Sequence, residues 1–141
     1  MEIKPRILGI DYGDRRTGIA VSDPSGMIAS GLGTLKAEGD RRLIEQIGSI
    51  IEEYSPVLIV LGHPVNMNGS LGPRAEKAER FAEKLKEAFG LPVELFDERM
   101  STMNAHAIMN LTDTRGKARK DAVDTLSAEI ILQNYMDLNR R

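Results

Sequence analysis

The chain has 141 residues, a net charge of −2, 41% apolar residues and no cysteine. That size and apolar content suit one domain over residues 1–141 with a core of its own. The lack of cysteine excludes a disulfide framework, a thiolate zinc site and a cysteine nucleophile. The charge is not that of a general nucleic-acid coat protein. No apolar run nears the roughly 20 residues needed to cross a bilayer, and no signal peptide opens the chain. A soluble, cytoplasmic protein without a membrane partner is expected.

Residues 6–12 form an apolar run that ends in the turn signal Gly13-Asp14 and read as a central strand ending near Asp11. Residues 17–22 are a second strand, closed by the turn formers Asp23-Pro24-Ser25-Gly26. Residues 27–35 add a third, antiparallel one. The period then changes. Leu43, Ile47, Ile50, Ile51 and Tyr54 recur at helical spacing, with Asp40 placed as the cap. Residues 57–61 are a continuous apolar strand of the kind covered on both faces. A second helix runs from Pro73 to Phe89, stopped by Gly90 and Pro92. Residues 93–97 are a short strand, Ser101 starts a helix to about Leu111, and the last helix runs from about Asp121 to Asp137. Three antiparallel strands followed by β-α-β units predict an α/β fold, a mixed five-stranded sheet with helices on both faces.

Three acids stand in unusual places. Asp11 ends the most apolar strand, where a carboxylate is costly unless paired or metal-bound. A turn-capping aspartate is the plainer alternative. On a wheel of about 100° per residue, Asp124 shares the apolar face of Ala128, Ile131, Tyr135 and Leu138, while Thr125, Glu129 and Gln133 make the polar face. Glu98 follows directly after a strand, in the cluster Asp97-Glu98-Arg99, which by itself would pass for a solvated turn. Strand ends and helix starts converge at one sheet edge, where sites in open sheets form. Carboxylates gathered there with no histidine or cysteine cluster favour Mg²⁺ or Mn²⁺. The basic stretch Arg115, Lys117, Arg119 and Lys120 reads either as a solvated loop or as a phosphate-gripping one.

Four blocks in order carry a family resemblance: Gly9-Ile10-Asp11-Tyr12-Gly13 with Arg16 and Gly18 to Asp23; Gly62 to Ser70 with Arg74; Asp97 to Thr102; and Asp124, Ala128 and Ile130 to Gln133. The chain resembles the YqgF/RuvX group of ribonuclease H-like proteins, linked to pre-16S rRNA processing and earlier to Holliday junction resolution. The resemblance implies that Asp11, Glu98 and Asp124 are catalytic metal ligands, Asp11 bridging two ions. It leaves Asp97 or Asp121 as a fourth ligand. It also brings Arg16, Asn66 and Arg74 forward as contacts to nucleic acid, against plainer roles as a surface charge, a turn amide and a helix-face charge. Arg99 is expected to support Glu98 by a bidentate pair. His63 departs from the family's apolar residue and is expected to be an exposed, tolerated substitution, the alternative being a position near the site where it helps proton transfer.

The expected activity is metal-dependent phosphodiester hydrolysis in 5′-end maturation of pre-16S rRNA. RNA is expected over DNA, the ribosomal subunit precursor as partner, and a monomer or homodimer. Few aromatics point to recognition of backbone and shape. The rivals are a junction-resolving DNA endonuclease and a non-catalytic RNA-binding factor. An actin-like nucleotide-binding module, a third rival, would need more chain than 141 residues.

Overall fold

The computed structural model describes residues 5–100 and 116–139. The strands β1 (Arg6–Asp11), β2 (Arg16–Ser22) and β3 (Ala29–Lys36) form an antiparallel set. Helix α1 (Asp40–Tyr54) leads to β4 (Pro56–His63), which lies parallel to β1. Helix α2 (Pro73–Phe89) leads to β5 (Val93–Asp97), parallel to β4. A short 3-10 turn (Glu98–Met100) follows, and α3 (Gly116–Asn139) closes the described fold. The sheet order is β3-β2-β1-β4-β5. This is the expected mixed five-stranded sheet.

Alternation along the strands divides the core in two. Leu8, Ile10, Ile19, Ile59 and Leu61 face α1 and α2, where Leu43, Ile47, Phe81 and Leu85 cover them. Ala20, Val60 and Phe96 face the other way, against Ala128, Ile131, Leu132 and Met136 of α3. Helices therefore lie on both faces, and the central strands are apolar on both sides because both are covered. Helix α3 lies very close to the sheet. A Cβ added at Gly18 would stand 1.8 Å from the carbonyl oxygen of Asp124.

Four expectations are corrected. Helix α1 is preceded by Gly39 with no side-chain cap, because the Asp40 carboxylate accepts hydrogen bonds from the Tyr12 hydroxyl and from Lys84 Nζ instead. Helix α3 starts at Gly116, not near Asp121, so Lys117, Arg119 and Lys120 sit on helix rather than in a loop. Lysine, arginine and alanine are good helix formers, and a polar composition hid the helix. The apolar face of α3 also differs. Leu138 is 46% exposed, and Leu132 and Met136 are buried in its stead. Lastly, β3 spans Ala29–Lys36 rather than 27–35. The Asp23 carboxylate accepts the amides of Met27 and Ile28 at 2.8 Å and holds them in the turn. The helix expected from Ser101 to Leu111 lies outside the described residues.

The polar face of α3 has a structural use. Gln133 accepts the amide of Ala29 at 2.9 Å and donates to the Met27 carbonyl at 2.9 Å. Glu129 accepts the amide of Gly31, and Thr125 meets Thr34 at 2.9 Å. Gln133 and Glu129 thereby satisfy two outward amides of β3, those of Ala29 and Gly31, on an edge strand that would otherwise offer them to another chain.

Two glycine-to-alanine changes should therefore part company in a chemical denaturation experiment. Gly18→Ala forces a Cβ into backbone and should cost about 2 kcal/mol or more. Gly48→Ala, in the middle of α1 and meeting only the Phe89 ring, at 3.4 and 3.8 Å, should be neutral or gain up to about 1 kcal/mol. Equal effects would mean that α3 does not press on β2.

Candidate functional site

Asp11 ends β1 on the face that α3 covers. Its partner across the antiparallel ladder is Gly18. On the other side Ile10 pairs with Leu61, so Gly62 stands beside Asp11 one step further. The two neighbours of this carboxylate are thus glycines, and other chain segments occupy the space their side chains would fill. The backbone of Asp124 lies over Gly18. The carboxylate of Glu98 lies over Gly62, where an added Cβ would come within 3.2 Å of Oε2. Asp11 is flanked by Asp124 on one side and Glu98 on the other.

The charges respond accordingly. Burial, then the negative charges of Glu98 and Asp124, push the pKa of Asp11 up to about 7, and Arg74 pulls against them. Burial also raises Glu98, while Arg74 and His63 pull it down and Asp97 pushes it up. Three carboxylates held this way repel one another unless a proton or a cation intervenes. The structure brings the three predicted acids into one electrostatic field. Among the described residues, no three acidic, histidine or cysteine side chains stand in ready-made ligating positions.

The remaining predicted residues fall into separate places. Arg16 forms an ion pair with Asp121, which also meets Lys36 Nζ at 3.0 Å. Arg99 embraces Asp97, with Nη2 to Oδ2 at 2.6 Å and Nε to both oxygens at 3.0 and 3.1 Å. The expected Arg99–Glu98 pair is therefore corrected. Glu98 turns inward onto Gly62, while Asp97 stays beside the guanidinium and also accepts the Arg99 amide at 2.9 Å. Both candidates for a fourth ligand, Asp97 and Asp121, are already paired with cations. Asn66 shapes the loop before α2, donating to Ser70 Oγ at 3.0 Å. Arg74, in the first turn of α2, reaches both Asp11 and Glu98 with its field.

His63 is not exposed. Only 16% of its side chain is accessible, and Nε2 lies 2.8 Å from Glu79 Oε2. That contact joins the end of β4 to α2. It had no signal in the sequence, because sixteen residues separate the partners. Arg115 and the side chains of Lys117, Arg119 and Lys120 lie outside the described residues.

A family model described as RuvX, Holliday junction resolvase, matches residues 5–138. The chain belongs to the RuvX family. A curated relative from Thermoanaerobacter pseudethanolicus, "Putative pre-16S rRNA nuclease", is 47% identical over 94% of this chain and 96% of its own length. A relative of the same name from Geobacillus kaustophilus is 47% identical over 96% and 99%. Among solved structures, T. thermophilus RuvC in complex with a Holliday junction substrate superposes with a TM-score of 0.62 at 13% identity, covering 96% of this chain and 97% of that one. The yeast mitochondrial Holliday junction resolvase Ydc2 gives 0.56 at 12% identity, covering 96% and 79%. These likenesses show that the RuvX chain has a ribonuclease H-like fold.

The raised pKa of Asp11 has a consequence for stability. The folded protein holds this proton more tightly than the unfolded chain, whose aspartate titrates near 3.8. The contribution is full below that value and is lost as pH rises to about 7. In metal-free buffer, Asp11→Asn should thus be more stable than wild type at pH 8, by roughly 2–4 kcal/mol. The gap should close toward pH 4. Parallel stability–pH curves for the two proteins would rule out strain at Asp11.

Proposed function

We propose that the chain is a metal-dependent nuclease that hydrolyses phosphodiester bonds in RNA, with 5′-end maturation of pre-16S rRNA as its task. The observation that carries this is Asp11, a buried carboxylate held between Glu98 and Asp124. The fold has placed negative charge where it is least stable, and a cation is the partner that relieves it. The donors are all carboxylate oxygens, a set that fits Mg²⁺ or Mn²⁺. Asp11, Glu98 and Asp124 would hold the metal, as a pair of ions in the two-metal reading. Bound there, it would supply the Lewis acidity that phosphodiester hydrolysis requires.

The chain's own residues do the rest. Arg74 lowers the charge penalty on Asp11 and Glu98 and offers a guanidinium to a phosphate entering beside them. The His63–Glu79 contact fixes the end of β4 next to Gly62, on which Glu98 sits. The Arg99–Asp97 pair anchors the 3-10 turn that carries Glu98. The net charge of −2 makes backbone contacts local, through Arg74 and the basic start of α3 with Arg115, Lys117, Arg119 and Lys120. Arg16 and Asn66 bear on the substrate through the shape of the loops they hold. RNA is favoured over DNA by the names of the curated relatives. Among the described residues no helix is long and apolar enough to cross a membrane. The task places the chain in the cytoplasm, on a ribosomal subunit precursor. The second reading, a junction-resolving DNA endonuclease acting as a homodimer, is favoured by the family description and by the fold it shares with RuvC.

Labelled single-stranded RNA, a pre-16S rRNA fragment and a four-way DNA junction, each with Mg²⁺, Mn²⁺ or EDTA, separate these readings. Cleavage is expected with metal on the RNA substrates, and Asp11→Asn should lose at least about 100-fold, as when a preorganised electrostatic group is removed. A junction-only cut would select the second reading. A metal effect independent of activity is also expected: Mg²⁺ should raise the melting temperature of the wild type at pH 8 and leave that of Asp11→Asn nearly unchanged. If metal affects neither cleavage nor melting, the acids do not form a metal site.

A further inference from the structure

A small cavity of about 90 Å³ opens beside the acids, on the α2 side of the sheet edge. Its walls are Tyr12, Gly13 and Asp14 of the turn after Asp11, Pro64, and Arg74, Lys77 and Ala78 of α2. Arg74 and Lys77 stand three residues apart, so they share one face of the first turns of the helix. Among the described residues Arg74 has neither a hydrogen bond nor an ion pair, only its field on Asp11, Asp14 and Glu98. Lys77 lies 5.7 Å from the centre of the Tyr12 ring. That ring is fixed from behind, stacked on Phe81 at 4.1 Å and bound through its hydroxyl to Asp40. The lysine is thus set against a rigid wall.

An anion already sits on that lysine. Asp14 forms an ion pair with Lys77, and the lysine holds its pKa below the ordinary aspartate value. Yet the Asp14 side chain is 79% exposed. An exposed carboxylate on a turn is held to its partner by little and swings away readily. The cavity therefore has two cations, one rigid aromatic wall and a displaceable carboxylate in the place of an anion.

We propose that this cavity is a phosphate subsite: it seats a backbone phosphate of the substrate strand next to the one cleaved, on Arg74 and Lys77, with Asp14 leaving Lys77 as the strand enters. The proposal rests on the nuclease reading of the neighbouring acids. It adds a residue, Lys77, that the motif blocks leave out, and it gives Asp14 a gating role, since a substrate must displace it.

Binding without cleavage tests the subsite separately from the nuclease. Fluorescence anisotropy of a short labelled single-stranded RNA in EDTA, over a series of salt concentrations, compares wild type with Lys77→Ala, Asp14→Asn and Lys86→Ala. Lys86 lies at the far end of α2, paired with Glu83, and serves as the control for a general loss of charge. Lys77→Ala should weaken binding about fivefold, the scale of a charged contact near the surface, and reduce the slope of log affinity against log salt by about 0.7. Asp14→Asn should tighten binding, and Lys86→Ala should match wild type. Equal behaviour of Lys77→Ala and Lys86→Ala, no change in Asp14→Asn, or no binding by the wild type would each overturn the subsite. Metal-dependent cleavage alongside any of these would leave the nuclease reading standing. The expected binding pattern without cleavage of any substrate would overturn the nuclease reading, and with it the place beside a cleaved phosphate, and leave the cavity as a strand-binding phosphate site.

Discussion

Asp11 is an ionisable group at the end of an apolar strand, enclosed by a helix and flanked by two more carboxylates, and the surrounding structure is organised around that enclosure. The sheet leaves room for it by placing a glycine on each neighbouring strand, Gly18 and Gly62. Without those gaps neither α3 nor the Glu98 side chain could approach. The same close approach that buries Asp11 raises its pKa to about 7, so the geometry of the core and the charge state of the candidate site are one problem. Such a site is costly to an empty protein and favourable to one that meets a cation, which is how functional sites commonly depart from the most stable arrangement.

Close docking of α3 is possible because its two long faces have different partners. The apolar face, with Ala128, Ile131, Leu132 and Met136, covers the middle of the sheet. The neighbouring polar face binds the open edge of β3 through Thr125, Glu129 and Gln133. The ion pair between Arg16 and Asp121 ties the same helix to the start of β2. Hydrophobic burial gives the helix its place, and directional hydrogen bonds give it a register along the edge. That register sets where Asp124 falls.

The cations around the site are divided by what they already hold. Arg16 and Lys36 hold Asp121, and Arg99 holds Asp97. These pairs brace the frame on which the three central acids stand. Arg74 acts directly on Asp11 and Glu98 instead, and Lys77 faces an exposed carboxylate that a phosphate can replace. A chain of slightly negative net charge can therefore receive a polyanion, provided its positive charge is concentrated at the entrance to the acids.

Much of this was legible in the sequence because it follows local rules. Short apolar runs bounded by turn signals gave β1, β2, β4 and β5, and period-3.6 runs with Pro73 and Gly90 at the ends gave α2 its observed limits. Asp11 and Asp124 stood out because each is a charge at an apolar position, which local pattern reveals. What failed were pairings between distant segments. Asp40 reads as a helix cap until Tyr12 and Lys84 draw its carboxylate away. Arg99 had two acidic neighbours, and the rotation of the 3-10 turn chose Asp97. His63 reads as a loop histidine until β4 extends to include it and α2 brings Glu79 alongside. Sequence alone determined which residues prefer strand, helix or burial, since those are properties of a residue and its near neighbours. Only the tertiary structure decided which charge meets which, because a side chain selects a partner by distance in space, and the sheet order and the docking of α3 set those distances.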